Sequence, residues 1–261
     1  MDALACALLS SGFTFACTAL GAAFVFLVAG AGHKLVTQLS LGFAAGIMIA
    51  ASVFGLLIPA QQEAAAAGSG LLPVSGGFAL GVLFLLLLDH LLPHFHLMGQ
   101  SPEGPKTGWS RQTLLFTAIT IHNVPEGMAL GVLAAAAGSG SQSLGALMAL
   151  AAGIGIQNIP EGTAVSVPYY AQGRSRFASF MAGTLSGLAE PLGAVLVVLC
   201  SEAVVGALPW FLAFAAGAML YVVVEELIPQ SHDLGNDGID LATVSVLSGF
   251  LIMMALEETL G

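Results

Sequence analysis

The chain has 261 residues, of which 57% are apolar and 8% charged, and a mean hydropathy of +0.94. A soluble domain carries about a quarter charged residues, so composition excludes a soluble globular protein and points to a polytopic membrane protein. The formal charge of −10 excludes the basic footprint of a nucleic-acid binder.

Spanning helices need ~20 apolar residues each. Eight such runs are predicted, at about 3–29, 37–60, 72–96, 112–137, 142–168, 177–201, 205–230 and 239–259. The expected fold is therefore all-α, with eight transmembrane helices forming one transmembrane domain over 1–261. Asp2 is the only charge ahead of the first run, so that helix is expected to be retained rather than cleaved as a signal peptide. Lys34 follows the first helix, Lys106 and Arg111 lie between the third and fourth, and Arg174 and Arg176 between the fifth and sixth. All the basic residues then fall on one side, which the positive-inside rule makes cytoplasmic, and both termini are extracytoplasmic.

Taken along the chain, helix two ends in Gln61, Gln62 and Glu63 on the outer side, where they would draw cations or simply be solvated. Helix three ends in Asp89-His90-Leu91-Leu92-Pro93-His94-Phe95-His96 on the cytoplasmic side, and about 97–111 is a Gly/Pro-rich cytoplasmic loop. Helices four and five are joined by the short Gly/Ser turn Gly138–Ser143 and must pack antiparallel. Helix six carries Glu190-Pro191, and helix seven ends in Glu225-Glu226-Leu227-Ile228-Pro229-Gln230-Ser231-His232-Asp233. Cys6, Cys17 and Cys200 have no CxxC spacing and are expected to pack as small apolar residues.

The chain repeats itself. Leu41–Met48 in helix two resembles Leu212–Met219 in helix seven, and Leu57-Ile58-Pro59 echoes Leu227-Ile228-Pro229. Paired helices run in opposite directions by the predicted topology, which is the signature of an inverted repeat with a binding site at the repeat interface. Met48 and Met219 occupy equivalent positions, where membrane-core packing is the expected role.

The two most polar patches at bilayer depth are near-copies: His122-Asn123-Val124-Pro125-Glu126-Gly127 and Gln157-Asn158-Ile159-Pro160-Glu161-Gly162. Residues three and four apart share a helix face, so His122, Asn123 and Glu126 project together, as do Gln157, Asn158 and Glu161. Pro125 and Pro160 free the carbonyls of Ile121 and Ile156 and are expected to bend their helices. Facing each other, the segments offer an imidazole, carboxylates and amide oxygens, a set suited to a divalent metal. Glu190 adds a third buried acid, and bound cations or protons would have to neutralise such a cluster.

The HNxPEG and QNxPEG pair, the Glu-Pro of helix six, eight helices and outward termini resemble the ZIP (Zrt/Irt-like) metal transporters, in particular their GufA-type branch. The resemblance implies a 3+2+3 helix arrangement and a two-metal site at the membrane midplane. Its first site would be His122, Glu126, Gln157 and Glu161. Its second would be Asn123, Glu126, Asn158, Glu161 and Glu190, with the two glutamates bridging. Some relatives have Asp where this chain has Asn158, so the second site is expected to bind more weakly. Asp89, His94 and Glu226 are implied as a cytoplasmic exit relay.

The function so indicated is uptake of Zn²⁺, or a related divalent metal such as Cd²⁺, Fe²⁺ or Mn²⁺, into the cytoplasm, with the metal as cargo and no enzymatic activity. Compact loops suit a bacterial inner-membrane protein, and a homodimer is compatible with the sequence. The competing classes are an intramembrane metal-dependent hydrolase, disfavoured because HExxH is absent and the ligands come in two inverted copies, and a carrier of protons or organic cations.

Overall fold

A computed structural model describes residues 2–27, 34–93, 104–232 and 239–261. In chain order its helices are α1 (Ala3–Ala23), α2 (Lys34–Ala50), α3 (Ile58–Ala66), α4 (Leu72–Leu91), α5 (Arg111–Ser139), α6 (Leu144–Ala171), α7 (Arg176–Ser186), α8 (Ala189–Leu199), α9 (Ser201–Gly206), α10 (Leu208–Val222), α11 (Ile228–Ser231) and α12 (Ile239–Leu260). A 3₁₀ turn, Phe24–Phe26, extends α1, and among the described residues there is no β-strand.

Helix starts follow local capping chemistry. The side chains of Asp2, Ser110, Ser143 and Ser175 accept from backbone amides three residues on, closing the first turns of α1, α5, α6 and α7. α5 ends at Gly140, whose φ of +78° is open to glycine without strain. Arg176 Nη1 donates to the carbonyls of Val25 and Phe26, tying the start of α7 to the end of the first helix.

Among the described residues, six helical segments are long and apolar enough to cross a membrane: Ala3–Phe26, Gln38–Ala66, Leu72–Leu91, Arg176–Leu199, Leu208–Ser231 and Ile239–Leu260. α5 and α6, at 29 and 28 residues, are about as long as the longest of these, but each carries a polar sextet that dilutes its hydropathy. The molecule is an all-helical polytopic membrane protein.

Packing sorts the helices into two groups. α1 lies along α6, with α5, α7 and α8 completing one group. α10 lies along α4 and α12 along α2, and with α3 and α11 these make the other. The groups meet where α2 and α12 touch α6 and where α10 touches α5. In the first group, helices approach through glycine. A Cβ on Gly127 of α5 would overlap the backbone of Glu190, and one on Gly187 would stand 2.9 Å from Cβ, Cγ2 and Oγ1 of Thr18.

α5 and α6 continue as helix through Pro125 and Pro160, and the structure modifies the sequence reading in helix six. The run expected at 177–201 is split at Gly187-Leu188 into α7 and α8. Glycine followed three residues later by Glu190-Pro191 supplies the physical reason: glycine is the weakest interior helix former besides proline, and Pro191 has no amide to donate. The repeat, by contrast, extends into the backbone. π-helical turns, Ala51–Leu57 and Val223–Leu227, immediately precede Ile58-Pro59 and Ile228-Pro229. In both, the isoleucine amide reaches back five residues, Ile58 to Val53 and Ile228 to Val223, in the widened ladder of a π turn.

Candidate metal centre

α5 contributes His122, Asn123 and Glu126, α6 contributes Gln157, Asn158 and Glu161, and α8 contributes Glu190; all are buried. The second group contributes Glu226 from its π turn and Gln230 from α11, also buried. Hydrogen bonds join these side chains in separate pairs. Gln157 Nε2 donates to Glu126 Oε1 at 2.6 Å, and Asn158 Nδ2 donates to Glu190 Oε1 at 2.8 Å. Asn123 Nδ2 donates to the Ser186 carbonyl at 2.9 Å, at the break between α7 and α8. Across the group boundary His122 Nδ1 lies 2.8 Å from Glu226 Oε2, and Gln230 Nε2 donates to Glu226 Oε1 at 2.6 Å.

Because every amide turns its NH₂ to a carboxylate or backbone carbonyl, its oxygen is left facing the interior. Asn123 Oδ1, Gln157 Oε1, Asn158 Oδ1, Glu126 Oε2, Glu161 Oε2 and Glu190 Oε2 are all buried and have no hydrogen-bond partner among the described residues. A buried polar atom without a partner costs about 1–3 kcal/mol, and here the unpartnered atoms are all electron-pair donors. Glu126, Glu161 and Glu190 lie close enough to repel one another, and Glu161 also faces Glu226. No lysine or arginine interrupts the two sextets or neighbours Glu190 in the sequence, so bound cations or protons must neutralise the charge here.

Beside the cluster lies a small cavity walled by His122, Glu161, Glu226 and Gln230 with Leu41 and Val222. Its volume is about 20 Å³, where ~10–15 Å³ holds one water. His122 Nδ1 is engaged by Glu226, whose carboxylate fixes the orientation of the imidazole ring. In this conformation no three His, Cys, Asp or Glu side chains among the described residues converge to hold an ion. The donors are turned to one another, and coordination needs side-chain rotations rather than new residues.

The structure thus brings together His122, Asn123, Glu126, Gln157, Asn158, Glu161, Glu190 and Glu226. Asp89 is buried at the end of α4, outside the walls of the cavity, and His94 lies outside the described residues. His90 Nδ1 bonds the Leu86 carbonyl, and His232 Nδ1 lies within bonding distance of the Ile228 carbonyl, both one turn back on their own helices. Met48 and Met219 pack in the apolar core, and Glu63 accepts from Gln142 Nε2 at 2.8 Å. Sequence reasoning missed Gln230, although its four-residue spacing from Glu226 was there to read. It also missed Thr14 and Thr18 of α1. The Thr14 carbonyl accepts from Asn158 Nδ2 at 3.2 Å, and Thr18 Oγ1 donates to Glu190 Oε1 at 3.4 Å.

Fold and site together define a polytopic membrane protein with a cluster of buried carboxylates and amides between two helix groups. Comparison with known proteins agrees. The family described as ZIP Zinc transporter matches residues 106–257. The zinc transporter ZIP11 of Homo sapiens is 36% identical over 98% of this chain and 97% of its own length. The zinc transporter GufA of Myxococcus xanthus is 39% identical over 80% of this chain and 81% of its own. The zinc transporter ZIPB of Bordetella bronchiseptica is 38% identical over 98% and 81%. The chain belongs to the ZIP zinc transporter family, in its GufA-type branch.

Proposed function

We propose that the chain carries Zn²⁺, or a related divalent metal, across the membrane into the cytoplasm. The observation that carries this reading is the set of six unpartnered buried oxygens beside repelling carboxylates, with no basic side chain among them. His122, Glu126, Gln157 and Glu161 are the divalent site, with imidazole nitrogen and carboxylate oxygen as zinc prefers. Asn123, Asn158 and Glu190 extend it into a second, more weakly charged subsite that shares Glu126 and Glu161. Metal is cargo here, and the chain is a transporter rather than an enzyme.

The eight-helix reading adds α5 and α6 to the six apolar spans, in a 3+2+3 arrangement with extracytoplasmic termini and a bacterial inner membrane as its setting. Access to the centre alternates as the group of α1, α5, α6, α7 and α8 shifts against the other. This reading is supported by the few packing seams between the groups and by the placement of the metal ligands on the first group alone. Glu226 sits on the second group and, with Asp89 and His94, forms the exit toward the cytoplasm. Release then requires only that His122 and Glu161 part from the ion while Glu226 takes it, a stepwise exchange between neighbouring sites.

The test is zinc uptake into proteoliposomes of the purified protein. Wild type is expected to accumulate metal, and His122→Ala and Glu161→Ala to lose accumulation while keeping the wild-type gel-filtration profile. Hydrolysis of a lipid or peptide without uptake would overturn the assignment.

A further inference from the structure

The seam between α1 and α6 is tight over one half and open over the half nearest the chain termini. In the tight half, a Cβ on Gly162 would overlap the Thr18 carbonyl and one on Gly21 the Ile159 carbonyl, so the two backbones touch. The Phe13 ring lies over Gly155, and from there toward the N-terminal ends of both helices the seam opens into a crevice of about 490 Å³. Cys6, Ser10 and Ala151 form its buried floor, and the exposed side chains of Leu9, Phe13, Leu144 and Met148 its rim. Leu260 of α12 closes the remaining side. α12 is held against α6 at both ends of this stretch: a Cβ on Gly145 would overlap the Leu260 carbonyl, and one on Gly153 the Met253 sulfur.

Polarity, length and setting say what fills it. Ser10 Oγ donates back to the Cys6 and Ala7 carbonyls at 2.8 and 3.2 Å, so the one hydroxyl in the floor is satisfied within its own helix and the lining is apolar. The α6 wall runs from Leu144 to Ala152, about 12 Å at ~1.5 Å per residue. The hydrocarbon core is ~30 Å thick, so the crevice has the depth of one leaflet. A partner helix crossing the membrane would need a face of twice that length, whereas one acyl chain needs no more. The rim is exposed on a membrane-spanning surface, and walls left without neighbouring atoms forfeit their dispersion contacts. Lipid chains are what the bilayer offers to restore them. Charge restricts the headgroup: α1, α6 and α12 carry no lysine or arginine, while Asp2 and Glu258 lie at the helix ends beside the mouth. Nothing there recruits an anionic lipid.

We propose that this crevice binds one acyl chain of a zwitterionic phospholipid, drawn from the leaflet on the side of the chain termini. The chain enters beside Leu144 and stops at Phe13. α1 and α6 belong to one helix group and α12 to the other, so the bound lipid touches both and forms part of the boundary between them. None of the residues of the buried carboxylate cluster lines the crevice, and the lipid site stands apart from the metal centre.

The experiment is photolabelling of the full-length protein in phosphatidylcholine vesicles. The probe is a phosphatidylcholine with a diazirine near the methyl end of one acyl chain, and labelled peptides are mapped by mass spectrometry. Labelling between Cys6 and Phe13 and between Leu144 and Ala152 is expected to saturate as the probe fraction rises. Labelling at Leu192 and Leu196, exposed on α8, is expected to rise in proportion to the probe. Ala152→Trp fills the crevice, and Met148→Trp covers it from the exposed rim without adding bulk to the core. Each is expected to abolish the saturable labelling and leave that of α8 as it was. Proportional labelling on both faces would make the crevice ordinary boundary surface and overturn the proposal. Saturable labelling that survives both substitutions would do the same, as would saturation at lower fractions by a phosphatidylglycerol probe of the same chain. Disulfide-linked dimers of Leu9→Cys in a Cys200→Ser background would seat a second copy of the chain there and overturn it as well.

Discussion

The His122–Glu226 pair is the sharpest point at which to test how the two helix groups communicate. His122 Nδ1 and Glu226 Oε2 are 2.8 Å apart, and their side chains are 9% and 3% exposed, so water does little to screen them. A hydrogen bond to a charged group is worth about 1.5–3 kcal/mol net, and removing one member of a buried ion pair costs about 3–5 kcal/mol because the other charge is stranded. Glu226→Gln keeps the volume, and keeps an oxygen for Gln230 Nε2, but removes the charge facing the imidazole. His122→Gln removes the imidazole. Each single variant should lower the unfolding free energy of the apo protein by about 2–4 kcal/mol, and the double variant by far less than the sum, leaving a coupling of about 1.5–3 kcal/mol. Denaturant unfolding of the four proteins in one detergent reads this directly. Additivity to within about 0.5 kcal/mol would mean that the pair does not hold the groups together, and the assignment of Glu226 to the boundary would fall with it.

Two further outcomes follow from geometry already described. Gly127→Ala places a methyl into the backbone of Glu190, which cannot rotate away, so α5 and α8 must separate. The expected cost is about 1–3 kcal/mol, seen as a lower thermal midpoint together with reduced zinc uptake, and an unchanged midpoint would contradict the close approach. The topology predicts that, in a Cys200→Ser background, a cysteine at exposed Ser141 reacts with an impermeant maleimide from outside intact cells and one at exposed Gln172 reacts only after lysis. The reverse pattern would invert the protein in the membrane and make it an exporter.

Much of the site could be read in the sequence because its residues are costly where they stand. His122, Glu126, Gln157, Glu161 and Glu190 interrupt apolar runs, and polar groups at that depth need a reason. Helix periodicity then brought them onto shared faces. The hydroxyls of Thr14 and Thr18 carried no such signal, since a threonine in an apolar helix ordinarily bonds its own carbonyl four residues back, and Thr18 does that as well as reaching Glu190. The break at Gly187 was written in its glycine and in Pro191, but so were prolines at 125 and 160 that leave α5 and α6 unbroken. Neighbouring packing decides between these outcomes, and one helix considered alone does not contain it. The two π turns were invisible for a related reason: the repeat aligned their flanks, and only the hydrogen-bond ladder distinguishes them from ordinary helix.

Those π turns have a consequence for how such a protein changes over generations. A residue added to a helix without an added turn rotates everything beyond it by about 100°. In Val223–Leu227 that rotation fixes which side of the helix Gln230 and Ser231 present. Deleting one residue there would leave a hydrophobic segment of nearly the same length while swinging its polar end away from the centre. The two halves share their flanking motifs yet differ by one residue between them: eight separate Met48 from Leu57, and seven separate Met219 from Leu227. A single-residue insertion or deletion in such a turn therefore changes which chemistry a half presents more than a substitution does, with Glu225 and Glu226 acidic in one π turn and the other turn neutral.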